Sequence, residues 1–122
     1  MTELNKAYLE KNFTDLLSLN QIKLDDKYIL SIDDETFDGL IDLKCIYLDR
    51  NQLASINSRI FKDLSNLKVL SLGYNKIIKL EPSTFVNLKN LGLLSFDNNQ
   101  NEEINVETFE GLESLQSLFL HV

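Results

Sequence analysis

Residues 43–66 read LKCIYLDRNQLASINSRIFKDLSN, and residues 67–90 read LKVLSLGYNKIIKLEPSTFVNLKN. These segments carry leucine, asparagine and phenylalanine at the same places, and the pattern returns every 24 residues along the chain. A period of this length predicts a solenoid, in which each unit buries its apolar side only against its neighbours. The units begin at Leu19, Leu43, Leu67, Leu91 and Leu115.

The start of each unit alternates apolar and polar residues, which predicts a strand with one buried face. Because every strand is followed by a crossover, successive strands should run parallel and form one sheet of about five strands. In the second half of each unit, phenylalanine precedes leucine by three residues, the spacing of a short helical turn. The phenylalanines should stack into a spine formed by Phe37, Phe61, Phe85 and Phe109, and the last three should be nearly fully buried.

An asparagine follows most of the strands, at Asn51, Asn75 and Asn99. Its side-chain amide can both donate and accept, so we expect it to bond the backbone of the adjacent loops. The fourth unit departs from the pattern, because Asn101 occupies a site that is apolar in the other units. We expect Asn101 either to find polar partners or to turn its loop outward.

The consensus L-x-x-L-x-L-x-x-N-x-L-x-x-L-x-x-x-x-F-x-x-L-x-x closely resembles the typical 24-residue subclass of leucine-rich repeat proteins. The resemblance covers the chain from Leu19 to the C-terminus. It implies an α/β repeat fold, a leucine-rich-repeat solenoid with a curved parallel sheet on the concave face and short helical turns on the convex face. It also implies a non-enzymatic module that binds macromolecules.

The residues before Leu19 contain no strand motif. Leu9, Phe13, Leu16 and Leu17 follow helical spacing, which favours an amphipathic helix over residues 2–17 with Thr2 as a candidate N-cap. Since Phe13 and Leu16 also keep the repeat phase, a truncated repeat is the alternative. The predicted organisation is therefore residues 1–18 as an N-terminal helical cap or partial repeat, and residues 19–122 as repeats, of which the last is incomplete.

The net charge of the chain is −7. This acidic balance argues against nucleic-acid binding, which needs clustered lysine and arginine. The sequence has no signal-peptide pattern and no apolar run of about 20 residues that could span a membrane. Only Cys45 could form a disulfide, whereas extracellular members of the family commonly carry cysteine clusters at the solenoid ends. We expect an intracellular protein if the chain is complete as given, and an extracellular one if it is a receptor fragment.

The pattern predicts no enzymatic activity and neither a cofactor nor a metal site. The single histidine, His121, has no defined partner for acid–base catalysis, and Cys45 has no histidine in register. Calcium binding by the aspartates is the less favoured interpretation, because their carboxylates stand a strand apart and no calcium-loop motif occurs.

The residues between the strand leucines should face solvent on the concave side, where apolar and aromatic groups could bind a protein or peptide. Asp25, Asp26, Asp49 and Asp97 would form an acidic edge that suits a basic partner. A plain solvated strand surface is the alternative. The predicted protein-binding residues are Cys45, Tyr47, Asp49, Arg50, Val69, Ser71, Tyr74, Leu93, Ser95 and Asp97.

The last strand has no following unit to cover Leu115, Leu118 and Leu120. Because an uncovered strand edge invites pairing with another chain, the alternative function is an assembly unit that forms a homodimer through this edge. A further alternative is the recognition fragment of a larger receptor or enzyme.

Overall fold

The structure, a computed structural model, describes residues 2–78, 80–99 and 106–120. Its main sheet contains five parallel strands in chain order. They are β2 (Gln21–Lys23), β4 (Cys45–Tyr47), β5 (Val69–Ser71), β6 (Leu93–Ser95) and β7 (Ser117–Phe119). A second parallel sheet pairs β1 (Glu3–Leu4) with β3 (Ser31–Ile32). The expectations for Asn101 and His121 lie outside the described residues.

In the main sheet, each residue lies opposite the equivalent residue of the next 24-residue unit. Cys45 lies opposite Val69 and Val69 lies opposite Leu93, so neighbouring strands are offset by one 24-residue unit. Within each inner strand the central residue is buried, as at Ile46, and its two neighbours are partly exposed. Equivalent positions of successive units therefore stack into columns, and the predicted solenoid with its parallel sheet is confirmed.

The core lies between this sheet and the turns of the opposite side, which include the 3-10 helices Leu16–Ser18, Ser58–Phe61 and Val106–Phe109. Phe37, Phe61 and Phe85 are buried there, and the rings of Phe61 and Phe85 are 6.0 Å apart. The ring of Phe96, the residue directly after β6, lies 5.9 Å from that of Phe85 and 6.4 Å from that of Phe109. The predicted spine thus includes a ring from the sheet side. Phe109 is only partly buried, so the prediction of near-complete burial was wrong for it. Its ring packs on that of Phe96, whereas the Phe85 ring lies between those of Phe61 and Phe96.

The predicted role of the asparagines is seen at all three positions. Asn51, Asn75 and Asn99 are buried, and each donates its amide to carbonyl groups of its own and the preceding unit. Their Oδ1 atoms accept from the N–H groups of Ile29, Leu53 and Ile77 at 3.1, 3.0 and 2.9 Å. The asparagines therefore join adjacent units through groups that the turns leave without backbone partners.

The N-terminal helix is shorter than predicted. Helix α1 spans Lys6–Asn12, and its N-cap is Asn5, which accepts from the N–H of Tyr8 at 2.9 Å. The predicted range 2–17 and the Thr2 cap were wrong, because β1 precedes the helix and its Leu4 is buried against the first unit. Leu9 of α1 is also buried, and Phe13 and Leu16 pack against the same core. The division at residue 18 stays a prediction.

At the other end of the sheet, β7 forms an edge. Leu118 and Leu120 keep exposures of 38% and 36%, whereas the equivalent Leu70 and Leu72 are fully buried. β7 has a neighbour on one side in the main sheet, as β2 has, but Ile22 of β2 is fully buried because the N-terminal segment packs against the same core.

Candidate functional site

The solvent-facing side of β2, β4, β5, β6 and β7, together with the residues that follow these strands, is here called the concave face. Its centre is a row of apolar side chains, Cys45, Val69 and Leu93, which are register partners and partly exposed. A second row contains Tyr47, Ser71 and Ser95. Because side chains alternate along each strand, the fold brings these six predicted residues together on one surface.

Arg50 and Tyr74 flank the rows and lie in an unusual backbone conformation. Their φ angles are +57° and +56°, as are those of Asp26 (+56°) and Asn98 (+61°) at the equivalent positions. The turn that follows the strand imposes this left-handed conformation on each of the first four units. The guanidinium carbon of Arg50 lies 4.8 Å from the centre of the Tyr74 ring, and Tyr74 is 51% exposed. The two side chains therefore form a stacked, solvent-accessible pair.

The predicted acidic edge has a structural task that the sequence pattern did not indicate. Asp49 Oδ1 accepts from the Ser71 hydroxyl at 2.6 Å and from the Gly73 N–H at 2.9 Å. Asp25 Oδ1 accepts in the same way from the N–H of Asp49 at 3.2 Å. These carboxylates link neighbouring units, so Asp49 and Ser71 have less hydrogen-bonding capacity for a partner than predicted. Asp97 lies next along this edge.

Two titrating groups of this face are shifted. Partial burial raises the pKa of Asp25, and the neighbouring Asp49 carboxylate raises it further. A side-chain hydrogen bond with Cys45 raises the pKa of Tyr47, and burial adds to this. Tyr47 therefore keeps its proton at neutral pH, and its hydroxyl can act as a donor. The ammonium group of Lys23 lies 6.0 Å from the Tyr47 ring.

Sequence reasoning missed the rim of the concave face that lies across from the aspartates. The residues one place before the central row are Asn20, Lys44, Lys68, Gly92 and Gln116. Gly92 lacks a side chain, and a notch of about 490 Å³ opens there, bordered by Lys68, Val69 and Leu93. The single glycine in an otherwise polar column is the signal that could have located it.

Among residues 2–78, 80–99 and 106–120, no group of three or more His, Cys, Asp or Glu side chains is arranged to hold a metal ion. No helix in that part of the chain is long and apolar enough to cross a membrane.

Comparison with solved structures relates this geometry to known proteins. The APL1 leucine-rich repeat domain superposes with a TM-score of 0.87 at 29% identity, covering 98% of this chain and 31% of that one. The LRIM1/APL1C complex gives a TM-score of 0.86 at 28% identity, covering 100% of this chain and 23% of that one. The TLR13-ssRNA13 complex gives a TM-score of 0.77 at 32% identity, covering 84% of this chain and 14% of that one. The chain thus spans less than two fifths of the length of each.

A search of curated protein sequences found no significant match. The sequence profile of the family described as leucine rich repeat matches residues 17–77, 41–100 and 65–121. These overlapping matches extend over nearly all of the units that the 24-residue pattern defines. Profile, register and superposition agree, and the chain belongs to the leucine-rich repeat family.

Proposed function

We propose that the chain is a non-enzymatic module that binds a protein or peptide on the concave face. Membership of the leucine-rich repeat family supports this proposal, and the family match indicates no enzymatic family. The apolar row of Cys45, Val69 and Leu93 lies on strands that are hydrogen-bonded on both sides. A rigid surface of this kind loses little conformational entropy when a partner binds.

The observation that carries the proposal is the conformation of Arg50 and Tyr74. A left-handed backbone costs about 1–2 kcal/mol for a residue with a bulky side chain, whereas asparagine, present at the equivalent Asn98, tolerates it better. Stacking of the guanidinium group on the ring returns only about 0.5–1 kcal/mol at an exposed site. The pair thus costs stability on balance, and Tyr and Arg are the residue types that contribute most at binding hot spots.

A protein partner fits the charge of the chain better than a nucleic acid does. The net charge of −7 opposes a phosphate backbone. Of the similar structures, one is the LRIM1/APL1C complex and another contains ssRNA. Asp25 and Asp26 directly follow strand β2 and belong to the acidic edge, to which a basic group of the partner would be attracted.

The experiment selects peptides from a random display library on the immobilised 122-residue chain and measures their affinities for variants. Tyr74→Asn should weaken binding about tenfold, because a hot-spot ring is lost. The same change should raise the free energy of unfolding by about 0.5–1 kcal/mol, because the left-handed backbone is relieved at the expense of the stack. A residue with a purely structural role would not move the two quantities in these directions.

The matched control lies on the convex side, where Lys62 pairs with Asp38 at 3.4 Å and Lys89 pairs with Glu113 at 3.8 Å. The double variant Lys62→Ala/Lys89→Ala should leave peptide affinity unchanged. Tyr47→Ala/Tyr74→Ala should weaken it about 30-fold, which corresponds to about 2 kcal/mol. If the lysine variant loses more affinity than the tyrosine variant, the concave face is not the binding surface.

A second candidate function is self-association through β7. The observation that favours it is the exposure of Leu118 and of Phe119, which is 45% exposed, on the edge strand of the sheet. Exposed apolar side chains on an unpaired strand edge are a template for pairing with another chain.

A further inference from the structure

The notch at Gly92 is not required by the backbone. Gly92 does not have a positive φ, and a Cβ atom added there would meet its nearest neighbour, the carbonyl oxygen of Lys68, at 3.7 Å. Its N–H donates to Lys68 O at 2.9 Å, as the N–H of Lys68 itself donates to Lys44 O at 2.7 Å one unit earlier. The backbone role of this column is therefore compatible with a side chain, and the glycine serves to leave space.

The lining of the notch combines one positive charge with free polar groups. Of the described residues that border it, Lys68 alone is ionisable. Lys68 forms no ion pair within the described part of the chain. The side-chain amide of Gln116 and the hydroxyl of Ser117 have no hydrogen-bond partner among those same residues. Val69 and Leu93 supply the apolar wall.

This composition selects the charge of an occupant. The volume of about 490 Å³ is within the range of ligand sites, about 300–1,000 Å³, and exceeds the needs of one amino-acid side chain. A carboxylate matches an unpaired ammonium group and neutral donors, whereas a basic side chain would be repelled by Lys68. The methylene groups of the same side chain would contact Val69 and Leu93.

We propose that the Gly92 notch receives a glutamate or aspartate side chain of the protein partner, with its carboxylate paired to Lys68 and hydrogen-bonded to Gln116. This inference rests on the proposed function and deepens it. The acidic edge lies on the opposite side of the concave face, so the face is positive on one side of the strands and negative on the other. A bound peptide then lies with an acidic side chain in the Gly92 notch beside Lys68 and a basic one at the acidic edge.

The test is an NMR titration of the ¹⁵N-labelled 122-residue chain with acetyl-Leu-Glu-Leu-amide and, as the neutral match, acetyl-Leu-Gln-Leu-amide. The glutamate peptide should shift the amide signals of Gly92, Leu93 and Ser117 and bind roughly fivefold more tightly than the glutamine peptide, as for a partly exposed ion pair. Lys68→Gln should abolish this preference. Lys44→Gln, one unit away in the same column and outside the notch, should retain it.

Gly92→Leu provides an independent variant, because it fills the notch without removing a charge. It should weaken both peptides and leave Lys68 unchanged. Should Gly92→Leu fail to fold, the comparison of Lys68→Gln with Lys44→Gln decides alone. Equal affinity for the two peptides, equal loss in both lysine variants, or no shift at millimolar concentration would overturn the inference.

The titration also separates this inference from the proposed function. Shifts at Tyr47, Val69 and Tyr74 without preference for glutamate would leave concave binding in place and remove the acidic-side-chain notch. A glutamate preference that depends on Lys68, together with library peptides that ignore the tyrosine variants, would retain the notch and overturn the wider binding surface.

Discussion

Replacing Asn75 by alanine tests how the repeats are joined. The Asn75 amide donates to Leu48 O and Leu72 O at 3.0 Å and to Gly73 O at 3.2 Å, and its Oδ1 accepts from the N–H of Leu53 at 3.0 Å. Asn75 is 7% exposed, so water has little access to replace these bonds.

The expected loss of stability follows from the hydrogen bonds that each partner of Asn75 keeps in the variant. Leu48 O retains the amide of Asn51, Leu72 O retains that of Asn99, and Gly73 O retains the N–H of Arg50. These carbonyls remain satisfied in Asn75→Ala. The N–H of Leu53 loses its acceptor, and a buried unsatisfied donor costs about 1–3 kcal/mol. With about 1 kcal/mol for the other lost bonds, the free energy of unfolding should fall by about 3 kcal/mol.

Urea unfolding followed by circular dichroism measures this loss, and an unchanged slope with urea shows that the surface exposed on unfolding is the same. Asn66→Ala is the matched control, because Asn66 makes one exposed bond, to Ile41 O at 2.9 Å. It should cost about 0.5 kcal/mol. A loss below 1 kcal/mol for Asn75→Ala, or one equal to that of the control, would refute the reasoning.

Asn75→Asp adds a pH dependence with a defined sign. Its carboxylate would face carbonyl oxygens that now accept hydrogen bonds, which raises its pKa in the folded state. The folded variant then binds a proton more readily than the unfolded chain. The deficit relative to the wild type should therefore be largest at neutral pH and shrink as the pH falls through this raised pKa. A deficit independent of pH between 7 and about 4 would contradict this account.

Three further predictions concern other parts of the chain. Phe85→Ala should cost about 3–5 kcal/mol in urea unfolding and Phe109→Ala about half of that, because Phe109 is only partly buried; equal losses would contradict the ring packing. Asp25→Asn should stabilise the fold by a few tenths of a kcal/mol after solvent screening. This gain should be present above the raised pKa of Asp25 in the folded state and lost as the pH falls toward the ordinary value of 3.8. Thermal unfolding across this pH range checks the prediction, and a gain that does not change with pH would contradict it. Light scattering over a concentration series should show association of the wild-type chain and its reduction in Phe119→Lys, and a wild type that stays monomeric at hundreds of micromolar removes the assembly alternative.

Much of the concave face could be predicted from the sequence. A strict period of 24 residues carries every unit onto the next, so Cys45, Val69 and Leu93 had to share one column once the strands were parallel. The same period placed Asn51 and Asn75 at the turns. These predictions hold because a solenoid has only nearest-neighbour contacts, and local pattern therefore determines packing.

The N-terminal segment shows where local pattern was insufficient. Helical spacing favoured a helix over residues 2–17, yet residues 3 and 4 pair with β3 and the helix begins at Lys6. Leu4 gains burial and backbone hydrogen bonds only against the first unit, and those contacts override helix propensity. Spacing within the segment contains no information about them.

The sequence by itself determined the repeat, the strand positions, the buried leucines and the joining asparagines, because periodicity is a property of the chain alone. Only the tertiary structure decided which polar groups form hydrogen bonds within the protein and which remain available to a partner. It committed Asp49 to Ser71 and Gly73, stacked Arg50 on Tyr74 and left Lys68 beside an open notch at Gly92. Such outcomes depend on distances between side chains of different units, and a linear pattern specifies neighbours without specifying those distances.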